Sequence, residues 1–178
     1  MSRKRDSKRP IVSSAHLVSE RSIELSEFEY GLIVASNAFE RWIVRCMAAA
    51  GGGDLGPLDV MVLHSINHRA RDKKLADICF VLNVEDSHTV SYALRKLVRG
   101  GLVAGRRSGK ETLYATTKAG RAACERYRQV RENCLMAAFG AVTGEAGPDL
   151  NREIGDAAGL LRALSGLYDQ AARAAASL

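Results

Sequence analysis

No run of apolar residues in this chain approaches the roughly 20 that a membrane-spanning helix needs, so a bilayer span is not expected. The basic start MSRKRDSKRP is not followed by the apolar stretch of a secretory leader, and the expected location is cytoplasmic. Catalytic signatures are missing as well. Gly51-Gly52-Gly53 is not followed by the lysine and hydroxyl residue of a phosphate-cradling loop, and neither a GxSxG nor an HExxH pattern occurs. The expectation is a protein that is not an enzyme and carries no cofactor. The four cysteines, Cys46, Cys79, Cys124 and Cys134, have no CxxC spacing, and disulfides are rare in the cytoplasm. Cys46 and Cys79 fall on apolar faces and read as inert thiols. Cys124 is the best-placed reactive thiolate, because Lys118, Arg121, Arg126 and Arg128 surround it in sequence and cations lower a thiol pKa. His64 and His68, one turn apart, are too few for a zinc site without a third ligand nearby, so no metal is expected.

Acidic residues are scarce in one region only. The chain of 178 residues carries a net +6, yet residues 68–131 hold fifteen basic against six acidic side chains, a net +9. Residues 1–10 add +4, whereas residues 11–67 and 132–178 carry −4 and −3. Segregation of this kind suits a polyanionic partner, because lysine and arginine displace the counterions condensed on a nucleic acid. A basic surface serving solubility alone is the plainer alternative. The first ten residues read as a disordered tail that either touches DNA phosphates or only solubilises the chain.

The centre of that basic region is patterned. Leu75, Ile78, Cys79 and Leu82 form one apolar helical face. Asn83 to Asp86 interrupts it, and Asp86 or Ser87 caps a second helix in which Val90, Leu94, Leu97 and Val98 make the buried stripe. His88, Tyr92, Arg95 and Arg99 lie opposite. Gly100-Gly101 ends the helix. Leu102 to Ala104 and Thr112 to Thr116 then read as two short strands around Ser108-Gly109, with Arg106, Arg107 and Lys110 at the tip. Thr117 caps a further helix. Two helices, a ribbon and a helix in that order are the plan of a winged helix-turn-helix.

Three stretches carry a family resemblance: LGPLDVMVLHSI (Leu55 to Ile66), HTVSYALRKLVRGGLV (His88 to Val103) and TKAG (Thr117 to Gly120). With them the chain resembles the MarR-type transcriptional regulators over Leu55 to Arg131. It departs from that pattern in a slightly longer turn between the two helices and in a short wing without an acidic-arginine tip. The resemblance implies a dimeric bacterial DNA-binding regulator that responds to small molecules. The fold class is therefore mainly α with a small β-ribbon, a winged domain flanked by long dimerisation helices.

The flanks support dimerisation on their own. Following an expected capping box at Ser26 and Glu29, Phe28, Leu32, Ala35, Phe39, Trp42 and Cys46 alternate spacings of four and three. Leu150, Ile154, Ala157, Leu161, Leu164, Tyr168 and Ala171 repeat that alternation after the breaker GAVTGEAGPD, and Ala123, Tyr127, Val130 and Cys134 continue it between them. A homodimer interface through Phe28, Leu32, Phe39, Trp42, Leu150, Ile154, Leu161, Leu164 and Tyr168 covers these faces; an intrachain bundle is the alternative.

The expected division is a tail at 1–22, a dimerisation helix and glycine linker at 23–53, the winged domain at 54–117 and C-terminal helices at 118–178. Within it the recognition helix spans about 86–99 and the wing about 104–112. Base or near-base contacts are assigned to Ser87, His88, Thr89, Ser91, Tyr92 and Arg95. Phosphate contacts fall to Lys96, Arg99, the loop residues Arg69, Arg71, Lys73 and Lys74, and the wing residues Arg106, Arg107 and Lys110. A two-fold protein calls for double-stranded DNA with an approximate inverted repeat, its half-sites about one helical turn apart. The family resemblance also implies an effector pocket between the dimerisation helices and the winged domain. Phe39, Trp42, Ile43, Met47, Leu58, Met61 and Val62 are its candidate lining, with plain core packing as the alternative. A winged-helix module that binds an acidic protein, or DNA without sequence preference, is the rival function.

Overall fold

The computed structural model describes residues 16, 18, 19, 21–143 and 147–178. The tail at residues 1–10 and the centre of the breaker between the last two helices lie outside the described residues. Two compact units divide the chain, residues 1–128 and 129–178.

In the first unit, helix α1 covers Ile23–Ala49. Its N-cap is Ser22, whose hydroxyl accepts from the Leu25 backbone N–H at 3.2 Å. The capping box expected at Ser26 and Glu29 is thus displaced by one turn, and Ser26 is buried inside the helix. Ile23 to Leu25 contain nothing that breaks a helix, so the earlier serine takes the cap.

Helix α2, Pro57–Asn67, starts with proline at its first position, where the missing N–H costs no hydrogen bond. The Asp59 carboxylate reaches back to accept from the Gly56 N–H at 2.8 Å. Strand β1 (Lys73–Lys74), helix α3 (Leu75–Leu82) and helix α4 (Ser87–Arg99) follow. Strands β2 (Val103–Ser108) and β3 (Glu111–Thr116) complete an antiparallel sheet of order β1-β3-β2. Lys73 and Lys74, expected in a loop, therefore pair with Tyr114 and Leu113 of β3. Ser108 pairs with Glu111 across the two-residue turn Gly109-Lys110, so each wing strand has six residues and the ribbon is longer than expected.

The core lies where α1, α2, α3, α4, β2 and the next helix converge. Ile43, Met47, Val60, Leu63, Ile66, Ile78, Val90, Leu94, Leu97, Val103 and Ala123 are all buried there. Val98 is not: it is 42% exposed, and Ala93 takes the place expected for it in the buried stripe of α4. Gly101, with φ of 70°, rather than Gly100, supplies the left-handed residue that ends α4.

Helix α5, Lys118–Arg131, is capped by Thr117, whose hydroxyl oxygen accepts from the Gly120 N–H at 3.0 Å. Gly120 has a steric role too. A Cβ there would collide with the Leu102 carbonyl oxygen, so only glycine lets the start of α5 lie against the entry to β2. In the second unit a π-helical turn at Glu132–Met136 leads to α6 (Ala137–Thr143) and α7 (Gly147–Ala175).

Candidate nucleic-acid interface

The amphipathic division of α4 decides what it can present. Val90, Ala93, Leu94 and Leu97 hold it to the core, which leaves Ser87, His88, Thr89, Tyr92, Arg95 and Arg99 exposed and Ser91 half-buried. Asp86 organises the N-terminus: its carboxylate accepts from the His88 N–H at 2.9 Å, and the Thr89 hydroxyl donates to its carbonyl oxygen at 2.7 Å. Thr89 consequently has its own hydroxyl proton engaged and offers an acceptor outward. The Arg95 guanidinium lies 5.8 Å from the centre of the Tyr92 ring, a cation–π arrangement that orients both side chains on the outer face.

Not every cation assigned to phosphates is available. Lys73 is 6% exposed and donates to the His68 carbonyl oxygen at 3.1 Å. Burial, reinforced by Arg71 and Arg69, pushes its pKa down. Lys73 is therefore removed from the expected contacts, because its strand position turns it inward. Lys96 forms an ion pair with Asp59 at 2.9 Å, Arg106 with Asp72 at 2.8 Å and Lys74 with Glu111 at 2.6 Å. Among the described residues Arg71, Arg95, Arg99 and Lys110 have no carboxylate within ion-pair distance. Sequence reasoning missed Asp59, Asp72 and Glu111. Only the Gly56 to Asp59 spacing, a helix-start signal, hinted at one of them.

A cavity of about 620 Å³ opens beside this region within the first unit. Phe39, Ile43, Met61, Val81, Leu82 and Tyr127 supply apolar walls, while His64, Ser65, His68, Arg69, Arg71 and Lys73 supply polar ones. Of the expected lining, Phe39, Ile43 and Met61 are present. Met47 and Val62 are fully buried, and Trp42 and Leu58 pack on the core, so those four are structural. The polar wall comes from one stretch, residues 64–73, and only the fold shows that these side chains face apolar residues brought from α1, α3 and α5.

His64 meets the edge of the Tyr127 ring, with centroids 4.5 Å apart, and its Nε2 is buried without a hydrogen-bond partner. Burial holds its pKa below the ordinary 6.5. A folded state that resists protonation loses stability to the unfolded chain as pH falls below about 6.5. Denaturant midpoints should thus decline on acidification, and His64→Leu should flatten that decline; an equally steep decline in the variant would assign it elsewhere.

Cys124, the cysteine best placed in sequence to form a reactive thiolate, does not have that character in the fold. Cys124 is 6% exposed, and burial pushes its pKa up to about 11, since its arginine neighbours in sequence point elsewhere. Arg121 donates to the Thr116 carbonyl oxygen, Arg126 to that of Ala50, and Arg128 to Glu125. Cys134 is exposed. A thiol-exchange reagent at neutral pH should modify Cys134 first and reach Cys124 only on unfolding, as mapped by mass spectrometry; equal rates would refute the burial argument. The same shift makes folding stability fall as pH rises from about 9 towards 11.

Residues 55–120 match the family of winged helix DNA-binding domains. No curated protein matches the sequence. Solved structures do share its fold. MarR from E. coli in its apo form is 20% identical, with a TM-score of 0.60 over 72% of this chain and 95% of that one. The M. tuberculosis transcriptional regulator MosR is 21% identical, with a TM-score of 0.55 over 75% of this chain and 94% of that one. MepR, a transcription regulator of the Staphylococcus aureus multidrug efflux pump MepA, is 15% identical, with a TM-score of 0.57 over 75% and 98%. The expected mainly α class with a small ribbon agrees with all three.

Proposed function

We propose, for a chain that carries a winged helix DNA-binding domain on a MarR-type fold, that it is a homodimeric, sequence-specific transcriptional regulator. Helix α4 enters the major groove from its N-terminal end, and the β2-β3 ribbon lies on the neighbouring backbone. One observation carries this reading: the outer face of α4 combines exposed short polar side chains with Arg95 and Arg99, which have no carboxylate partner among the described residues, while its inner face is locked to the core. Lys110 at the wing tip and Arg71 extend the positive surface.

Dimerisation rests on the flanking helices. Residues 30–41 of α1 are exposed without interruption, among them Tyr30, Leu32, Ile33, Val34 and Phe39. Ile154, Leu160, Leu161 and Leu167 of α7 are exposed as well. Large apolar side chains in such number call for a covering partner, and a second copy offers matching faces. The cavity beside α1 and α2, with apolar walls and a polar side, suits a small-molecule effector that shifts the spacing of two recognition helices.

Fluorescence anisotropy with the upstream intergenic DNA of the gene and a scrambled duplex of equal length, across a salt series, tests the proposal. A preference of roughly 10³ or more that survives moderate salt is expected. Equal affinities that collapse together with salt would leave non-specific attraction, and the protein-interaction alternative would take its place.

A further inference from the structure

We infer that Asp59 is a positioning residue for the recognition helix, acting through Lys96, and that Lys96 belongs to this internal frame and not to the set of phosphate ligands. The inference rests on the reading of α4 as the helix that enters DNA. Asp59 stands in the first turn of α2 and is the one buried acidic residue among the described residues. A single carboxylate oxygen, Oδ2, accepts both the Gly56 N–H at 2.8 Å and the Lys96 ammonium at 2.9 Å. The same atom thus closes the start of α2 and grips the last turn of α4. The side chain of Asp59 is 9% exposed and that of Lys96 33% exposed, so the pair is shielded on one side and open on the other.

Elsewhere α2 and α4 share a buried apolar cluster that includes Val60, Leu63, Leu94 and Leu97. Apolar contact is non-directional, and it tolerates a small rotation or slide of one helix on the other. An ion pair with a hydrogen-bonded carboxylate does not, because a shift of about 1 Å breaks its geometry and leaves a charge in a desolvated site. Arg95 precedes Lys96 and Arg99 follows it by one turn. Fixing Lys96 therefore fixes the rotation of α4 about its axis, and with it the direction of the Arg95 and Tyr92 pair. The hydrogen bond to Asp59 also keeps Lys96 charged, raising its pKa. A lysine already neutralised by an internal acid releases few counterions when DNA arrives.

Two views of this pair predict opposite signs. On net charge alone, Asp59→Asn removes a negative charge from a DNA-binding unit and should tighten binding to every duplex. On the positioning view it loosens α4 and weakens binding to the preferred duplex only. The test uses the full chain, a duplex that the wild type selects from a random pool, and a scrambled duplex, with affinities measured across a salt series. Lys96→Met, which keeps the apolar stem, should lower affinity for the selected duplex about tenfold, leave the scrambled duplex unchanged and leave the salt slope unchanged. Lys96→Arg, which retains the pair, should restore much of the loss. Asp59→Asn should behave as Lys96→Met does; a melting curve checks that it folds, and the more exposed Lys96 variants keep the test decisive if it does not. The inference is overturned if Lys96→Met weakens both duplexes equally and lowers the salt slope by about 0.9 per copy of the lysine, the mark of a lost phosphate contact. It is overturned too if neither affinity moves. A wild type that selects no duplex sinks the regulatory reading, and this inference with it, whatever the variants do.

Discussion

Arg95→Ala is expected to weaken binding to the preferred duplex by roughly 10- to 100-fold per half-site, the loss of about 1–3 kcal/mol that a bidentate base contact carries. Arg95 is exposed, has no carboxylate partner among the described residues and is oriented by the Tyr92 ring. Its neighbour Lys96 is already committed to Asp59. Arg95 thus lies on the face where base edges would be met, and the paired Lys96 lies where the helix is held. Affinity for a scrambled duplex should fall far less, because only one screened charge is lost there. The protein should melt unchanged, since Arg95 is exposed and lies outside the core cluster. Anisotropy titrations on both duplexes, with melting curves alongside, provide the check. An unaltered affinity for the preferred duplex would take Arg95 out of the contact surface. Tyr92→Ala should give a smaller loss, as the arginine remains but its orientation is relaxed.

The largest expected effect on stability comes from the smallest residue of the TKAG stretch. Gly120→Ala should destabilise the winged unit by about 3 kcal/mol, the upper part of the usual range for forcing an extra carbon into a packed site. The reason is the atom that the new Cβ would meet. It is the Leu102 carbonyl oxygen, a backbone atom that cannot rotate away. That carbonyl also accepts the Thr117 backbone N–H at 3.0 Å, and the Thr117 hydroxyl donates to the adjacent Gly101 carbonyl at 2.7 Å, so moving it would disturb the cap of α5 as well. Urea denaturation followed by circular dichroism measures the loss. A variant within about 0.5 kcal/mol of wild type would mean that α5 can tilt away from the wing at little cost. Because Leu102 leads directly into β2, such a tilt would also displace the ribbon, and a fall in DNA affinity should accompany any loss of stability.

Much of the winged unit is legible in the sequence. The helix expected over about 86–99 spans Ser87–Arg99, and Asp86 caps it. Thr117 caps α5 as its hydroxyl and position suggest. Both follow from interactions within four residues along the chain, which a sequence displays directly. The same locality explains the errors. Ser26 makes as good a cap as Ser22 on pattern alone, which offers no means of ranking them. Val98 fits a helical stripe, but the width of the core contact leaves it at the edge.

The fate of the charges follows a different rule. Fifteen cations in residues 68–131 announce a polyanionic partner, yet which of them are free depends on acids distant in sequence. Asp72 meets Arg106 from 34 residues away, and Asp59 meets Lys96 from the preceding part of the domain. Lys73 resembles any loop lysine in the sequence, and its pairing with β3 turns it inward. Cys124 has arginines on both sides along the chain, but helical geometry aims them at backbone carbonyls and Glu125 and buries the thiol. The sequence by itself determined the order of the winged unit's helices and of the two ribbon strands, the main polar and apolar face of the helix at Ser87–Arg99 and the basic character of the central region. These arise from periodicity, capping and composition, all local. Tertiary structure alone decided which cations are paired, which thiol is buried and which side chains surround the cavity, because burial and ion pairing depend on distances through space that spacing along the chain does not encode.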